Sequence, residues 1–222
     1  MTGLIEVGEL VRELGASAAL AVEDELDWEH LPHVHASTFS AISLVHADNN
    51  GWEADVVLAD GAPLRMRVTI DADRLGYANA TFSDGVENGR AVARIEATGP
   101  NSCRMHMRFF APDTPQTDRD AAGAFYRDVF GRILDEDEPK MKFRAQALRD
   151  GPSARRRRRT VTLADGATCE VPVVCPHQGL PLDCEPDATG VMTCPWHGYR
   201  FDARTGACLS GRTRGWTNNE KS

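Results

Sequence analysis

From Thr38 to Phe110 apolar residues return at every second position: Ile42/Leu44, Trp52/Ala54/Val56/Leu58, Leu64/Met66/Val68/Ile70, Tyr77/Asn79/Thr81, Ala91/Ala93/Ile95 and Cys103/Met105/Met107/Phe109. Asn49-Asn50-Gly51, Asp60-Gly61, Asp84-Gly85 and Gly99-Pro100-Asn101 stand between these runs. A period of two sends successive side chains to opposite faces of a strand, and Asn-Gly or Asp-Gly pairs supply the backbone freedom of tight turns. The stretch predicts an antiparallel meander of about six half-buried strands.

Upstream of it, Leu4, Ile5, Val7, Leu10, Val11 and Leu14 recur at roughly helical spacing and predict a surface helix over 4–14. Downstream, Thr117 to Arg149 reads as a long helical region with Phe125, Val129, Phe130, Ile133, Leu134, Met141 and Leu148 on one stripe. Pro139 should kink or split that helix. A sheet of this size needs a cover for its apolar face, and this helix is the candidate.

The 222 residues, 41% hydrophobic and 26% charged, suffice for one domain with a sizeable core and a second, small one. Residues 1–150 carry a net charge of −11 and residues 151–222 a net charge of +3. At that break stand Gly151-Pro152-Ser153-Ala154 and the run Arg155 to Arg159. Like charges repel into an extended form, so 151–159 reads as a linker between domains 1–150 and 160–222, solvated or offering a dock to an acidic redox partner. So acidic a chain argues against nucleic acid. Without a secretory leader or a bilayer-length apolar run the expectation is a cytoplasmic protein with no membrane contact. Its cysteines, at 103, 169, 175, 184, 194 and 208, crowd toward the C-terminus and there suggest metal binding.

The motif lies in that last third. Cys175-Pro176-His177-Gln178-Gly179 is followed, after residues 178–193, by Cys194-Pro195-Trp196-His197-Gly198. Cys-x-His and Cys-x-x-His offer two thiolates and two imidazoles from two tight loops. Thiolates neutralise and hold ferric iron, whereas neutral imidazoles on a second iron leave the cluster less negative and raise its potential, to roughly −150 to +300 mV. The ligand set alone also admits a structural zinc site, although zinc fingers usually pair Cys with Cys and His with His.

Residues 160–212 closely resemble Rieske domains, which implies a [2Fe-2S] cluster bound by Cys175, His177, Cys194 and His197. In the respiratory subclass of that family each ligand loop adds a disulfide-forming cysteine; Leu180 and Trp196 stand at those positions here. The departure implies the oxygenase and ferredoxin subclass and a lower potential. The other four cysteines then read as small buried residues.

The helix, meander and long terminal helix of residues 1–150 resemble the helix-grip (START-like) fold, whose sheet curls around its last helix and leaves an apolar cavity. The expected architecture is therefore an α+β helix-grip domain followed by a small all-β Rieske domain. Within the first, Asp27-x-x-His30-x-x-x-x-His35 resembles the mononuclear iron motif of Rieske non-haem iron oxygenases. The resemblance implies that His30 and His35 bind Fe(II) and that Asp27 links a Rieske histidine to the iron site. On an ideal helix His30 and His35 would be about 140° apart, so the helix must distort or end between them, which Pro32 makes reasonable. By spacing alone His33 can replace either histidine.

A facial triad also needs a carboxylate. In Leu134-Asp135-Glu136-Asp137-Glu138 three acids read as a solvated helix face, whereas Asp137 sits on the apolar stripe, where a carboxylate is costly unless paired or metal-bound. The family also places its iron carboxylate on the terminal helix of the catalytic domain, with a Gln some residues later, here Gln146. Asp137 is the candidate ligand, with Asp135 or Glu138 in reserve.

The resemblance to Rieske non-haem iron oxygenases implies an enzyme in which a reductase or ferredoxin passes NAD(P)H electrons to the cluster and on, through His177 or His197 and Asp27, to Fe(II). There O2 would hydroxylate or dealkylate a small, largely apolar compound. The family usually places the Rieske domain first and has a longer catalytic domain; here the order is reversed, and the family-based expectation of a homotrimer leaves open whether cluster and iron meet within one chain. The alternatives are an electron carrier fused to a ligand-binding helix-grip domain without a second iron, and a zinc-stabilised binding module.

Overall fold

The computed structural model describes residues 3–211 and 213–216; the end of the expected second domain, 217–222, lies outside the described residues. The chain divides into two compact units, Met1–Met141 and Lys142–Ser222.

The first unit is built on a seven-stranded antiparallel sheet. Its strands are β1 (Leu4–Leu14), β2 (Phe39–Asp48), β3 (Gly51–Leu58), β4 (Pro63–Ile70), β5 (Gly76–Ser83), β6 (Val86–Gly99) and β7 (Ser102–Pro112), in the order β1-β7-β6-β5-β4-β3-β2. The period-two run forms the meander β2 to β7, and its turns sit where the glycines are. Gly51 has φ +148°, and a Cβ there would lie 2.0 Å from the Val68 carbonyl oxygen. Asp84 and Gly85 both take positive φ, the requirement of a type I′ hairpin turn. Trp52, Ala54, Val56, Met66, Val68, Tyr77, Ala91, Ala93, Met105, Met107 and Phe109 are buried on one face.

Residues 4–14 form an edge strand and not the expected helix. The pairing of β1 with β7 shifts between Glu6 and Gly8, and this bulge slips the apolar residues by one position. Two strand segments out of phase imitate helical spacing. The other face of β1 carries Glu9 and Glu13, paired with His106 and Arg104 at 2.9 and 2.6 Å.

The long helix α3 (Gln116–Asp150) runs through Pro139 without splitting, and the unit boundary falls inside it. Tyr126 and Phe130 stack on Phe109 at 5.3 and 5.2 Å, and Leu134 and Met141 are buried. Phe125 and Leu148, placed on the apolar stripe by spacing, are exposed. The helix passes close over β1 at Gly123, whose Cβ would stand 2.1 Å from the Val7 carbonyl oxygen.

Between β1 and β2 come α1 (Ala18–Leu26), capped by the Ser17 hydroxyl, a single 3-10 turn at Trp28–His30, and the one-turn α2 (Leu31–Val34) opened by Pro32. The main break thus falls at Asp27, ahead of His30 and not at Pro32; between the two histidines the chain only passes from the 3-10 turn into α2.

The Arg155–Arg159 run is not an extended connector. Pro152–Arg156 forms a short helix, α4, and Arg158 and Arg159 begin β8 (Arg158–Thr162), paired with β9 (Thr168–Pro172). The like charges are accommodated by carbonyls and acids: Arg158 donates to Arg155 O at 2.6 Å and Arg159 reaches Glu185 at 2.7 Å. A second hairpin, β10 (Val191–Thr193) with β11 (Arg200–Asp202), packs Met192 and Phe201 against Val171, Leu182, Ala203 and Trp216.

Candidate functional site

Each unit holds a constellation of ligand-type side chains. In the second unit the sequence Cys-Pro-x-x-Gly occurs twice, and the two copies fold alike. Cys175 N–H donates to Leu180 O at 2.7 Å and Gly179 N–H to Cys175 O at 3.0 Å; Cys194 N–H donates to Tyr199 O at 2.8 Å and Gly198 N–H to Cys194 O at 2.9 Å. Gly179 and Gly198 take φ of +80° and +65°, which closes each loop in a conformation favouring glycine. The loops bring the two sulfurs into hydrogen-bond contact. Bonding from the Cys175 thiol, with His197 adding to it, draws Cys194 down to about 5, and the same contact pushes Cys175 up. The His177 and His197 rings meet edge-on with centroids 4.7 Å apart. Two sulfurs and two imidazoles therefore converge from opposite loops, the donor set a Rieske cluster uses. Cys175, Cys194 and His197 are buried, whereas His177 is half-buried, so of the four ligand residues His177 is the most open to a redox partner. Trp196, at one of the two disulfide positions of the respiratory subclass, ties the loops without a covalent bond: its indole N–H donates to Pro181 O at 2.9 Å.

In the first unit His30, His35 and Asp137 come together from the broken helix and from α3. All three are buried. His30 Nε2 and His35 Nε2 are 3.1 Å apart, and Asp137 Oδ1 lies 3.3 Å from the first and 2.9 Å from the second. The outer nitrogens are already engaged. His30 Nδ1 bonds the Asp27 carbonyl oxygen, and His35 Nδ1 bonds Glu136 Oε2 at 2.7 Å. Both acceptors require a proton on Nδ1, which leaves the Nε2 lone pairs facing one another and facing Asp137 Oδ1, a sealed oxygen that accepts no hydrogen bond. Three lone pairs converging in a buried site repel unless a proton or cation lies between them. The triangle also has the right size, since donors about 2.1 Å from one ion and at right angles around it stand about 3.0 Å apart.

The surrounding charges have the same sense. Burial alone would raise Asp137, but the two imidazoles hold its carboxyl well below the usual range. Burial opposes a charge on His35, yet Asp137 and Glu136 outweigh it and its pKa stands above the ordinary value. Lys140 is buried, with Nζ 2.6 Å from Asp24 and 2.8 Å from Asp27. Asp24 is lifted by burial and by Asp137 to about 6 and so is largely ionised at neutral pH. Asp24, Asp27 and Asp137 thus crowd around the one ammonium of Lys140, an excess of acids that favours a cation at the triad.

The other residues singled out by spacing fall elsewhere. His33 is exposed and outside the triangle. Asp135 pairs with Arg12, Glu138 accepts from Gly15 N–H at 2.8 Å, and Gln146 bonds Asp150 at the far end of α3. Glu136, grouped with the solvated acids, instead orients His35. Lys140, Asp24, Glu25 and Tyr77 also stand around the site, outside any motif. Lys140 lies three residues after Asp137 and beside Met141, a position that would have marked it as inward. The Asp27 carboxylate, expected as the link between a Rieske histidine and the iron site, is held by Lys140 and stands 3.9 Å from His30 Nδ1.

The triad opens on a cavity of about 450 Å³ in the first unit, walled by Trp52, Met66, Met105, Phe130, Ile133 and other apolar side chains. Along β5 the inward Tyr77, Asn79 and Thr81 follow one another, two residues and hence about 7 Å per step, up its wall.

Residues 155–217 match the family model of the Rieske [2Fe-2S] domain. The first unit has relatives by fold. A norcoclaurine synthase of Thalictrum flavum, a point mutant in complex with a transition-state analogue, superposes with a TM-score of 0.50 at 14% identity, covering 64% of this chain and 98% of that one. The ZhuI aromatase/cyclase of Streptomyces sp. R1128 superposes with a TM-score of 0.51 at 12% identity, covering 66% and 98%. At these identities the likeness shows the fold alone: a helix-grip domain precedes a Rieske domain. No curated protein matches the chain. The Rieske domain assigns the chain a [2Fe-2S] cluster and iron–sulfur electron transfer to or from a partner. Among the described residues no helix is long and apolar enough to cross a membrane.

Proposed function

We propose that the chain is a Rieske-type non-haem iron oxygenase, in which Cys175, His177, Cys194 and His197 hold the cluster and His30, His35 and Asp137 hold a single Fe(II). The observation that carries this reading is the triangle of His30 Nε2, His35 Nε2 and Asp137 Oδ1 with both outer imidazole protons already engaged. Two imidazoles and one carboxylate on one face of an ion leave its other positions free, and Fe(II) so bound supplies O2 activation when electrons arrive from the cluster. A separate NAD(P)H-dependent reductase or ferredoxin would supply those electrons.

The chain's own residues give the site its orientation. Glu136 and the Asp27 carbonyl fix the imidazole tautomers, as outer partners of metal-bound histidines do. Lys140 holds Asp24 and Asp27 and keeps the acidic pocket compact; Asp27, next to His30, is the acid through which the reading couples iron to cluster. The apolar walls exclude water and select a small, largely apolar organic compound, hydroxylated or dealkylated at the carbon nearest the triad.

Metal content of anaerobically purified protein, with EPR of the dithionite-reduced sample, tests this. About three irons per chain with a Rieske-type signal, falling to about two with the same signal in Asp137→Ala, is the expected result. Two irons in both proteins, unchanged after Fe(II) is added, would leave an electron carrier joined to a binding domain.

A further inference from the structure

The family match begins at residue 155, but the second unit begins at Lys142, so the last turns of α3 belong structurally to the cluster domain. Three contacts there reach the two ligand loops. Arg144 Nη1 donates to the carbonyl of Gln178 at 2.8 Å, one residue beyond His177. The Phe143 ring meets Trp196 edge-to-face with centroids 5.5 Å apart, one residue before His197. Ala147 lies against Gly179, where an added Cβ would come within 3.0 Å of the Ala147 methyl. Trp196 completes the set through its bond to Pro181 O. Each ligand histidine is thus next in sequence to a residue that α3 touches.

We infer that residues 143–147 form a clamp on the cluster loops, in which Arg144 is a positioning residue that sets the reduction potential through the His177 loop and Phe143 retains the cluster by bracing Trp196. The chemistry is direct. An Arg–carbonyl bond is charge-assisted and stronger than a neutral one, so it fixes the Gln178 peptide and with it the orientation of His177. Reduction adds one negative charge to the cluster, and a guanidinium held beside the loop favours the reduced form. Phe143 brings no charge, so its share is mechanical: with no disulfide between positions 180 and 196, the Trp196–Pro181 tie depends on packing around the indole.

The two roles separate by measurement on the full-length protein. An EPR-monitored redox titration of Arg144→Leu is expected to show the same cluster content with the reduction equilibrium lowered at least threefold, about 30 mV for one electron. Arg144→Lys, which restores a charge and a donor, should recover at least half of that shift. Phe143→Leu should leave the potential unchanged and speed cluster loss to an iron chelator severalfold. If Arg144→Leu does not hold its cluster, Arg144→Lys against wild type decides: a small downward shift supports the assignment. An unchanged potential in cluster-loaded Arg144→Leu, or a lysine variant no nearer wild type than the leucine one, overturns it. Release no faster in Phe143→Leu removes the bracing role. None of these readouts depends on the mononuclear site.

Discussion

Glu136 Oε2 accepts from His35 Nδ1 at 2.7 Å, while the next residue, Asp137, faces Nε2 of the same ring at 2.9 Å. Two consecutive acids of α3 thus hold both nitrogens of one imidazole, one fixing its proton and the other meeting its lone pair. Glu136→Gln keeps the shape but lets the side-chain amide present a donor where His35 needs an acceptor. We expect Fe(II) or Co(II) to bind the first unit about 10- to 100-fold more weakly, measured by metal titration, with the cluster spectrum unchanged.

Asp137→Asn removes the charge and keeps the volume. The single divalent ion should be lost and the two-iron Rieske signal retained, as read by metal analysis and EPR on one sample. Added Co(II) should raise the melting temperature of wild type, because it binds the folded state alone, and leave that of the variant unchanged.

Glu25 lines the cavity, and burial, followed by Asp137 and Asp24, pushes its carboxyl well above the ordinary value. A raised folded pKa means that the folded state holds the proton more tightly than the unfolded chain. Its contribution is full below the unfolded value near 4.5 and is lost as pH rises toward the folded value. Asp24, raised to about 6, acts with the same sign over its own window. Metal-free protein should therefore lose stability between pH 4 and pH 8. Glu25→Gln, which imitates the protonated acid, should melt at least about 2 °C higher than wild type at pH 8 and within error of it at pH 4.

At the crossing of α3 over β1, Gly123→Ala would drive a methyl group into the Val7 carbonyl, and backbone on both sides must separate. A loss of about 1–3 kcal/mol is expected, a fall of several degrees in melting temperature. Gly131→Ala, on the same helix with nothing within 4 Å of the added atom, should be neutral or stabilising by up to about 1 kcal/mol.

The meander, the long helix and the cluster loops could be read from the sequence because each is a local signal: period two with turn glycines, a 3.6-residue stripe, and Cys-Pro-x-x-Gly written twice. Residues 4–14 misled because a bulge is set by pairing with β7, and no residue of β1 announces it. The Arg155–Arg159 run misleads because like-charge repulsion is local, whereas the carbonyls and the Glu185 carboxylate that offset it are placed there only by the folded chain. His30, His35 and Asp137 could be named as candidates, yet about 100 residues separate the histidines from the aspartate, and only the packing of α3 against the broken helix brings them within 3.3 Å. Glu136 and Asp24 carry no local signature, and Lys140 carries only its place on the inward stripe, three residues after Asp137. An acid beside a ligand and a lysine on an amphipathic helix look like solvated charge until tertiary structure removes the water and leaves them only one another as partners.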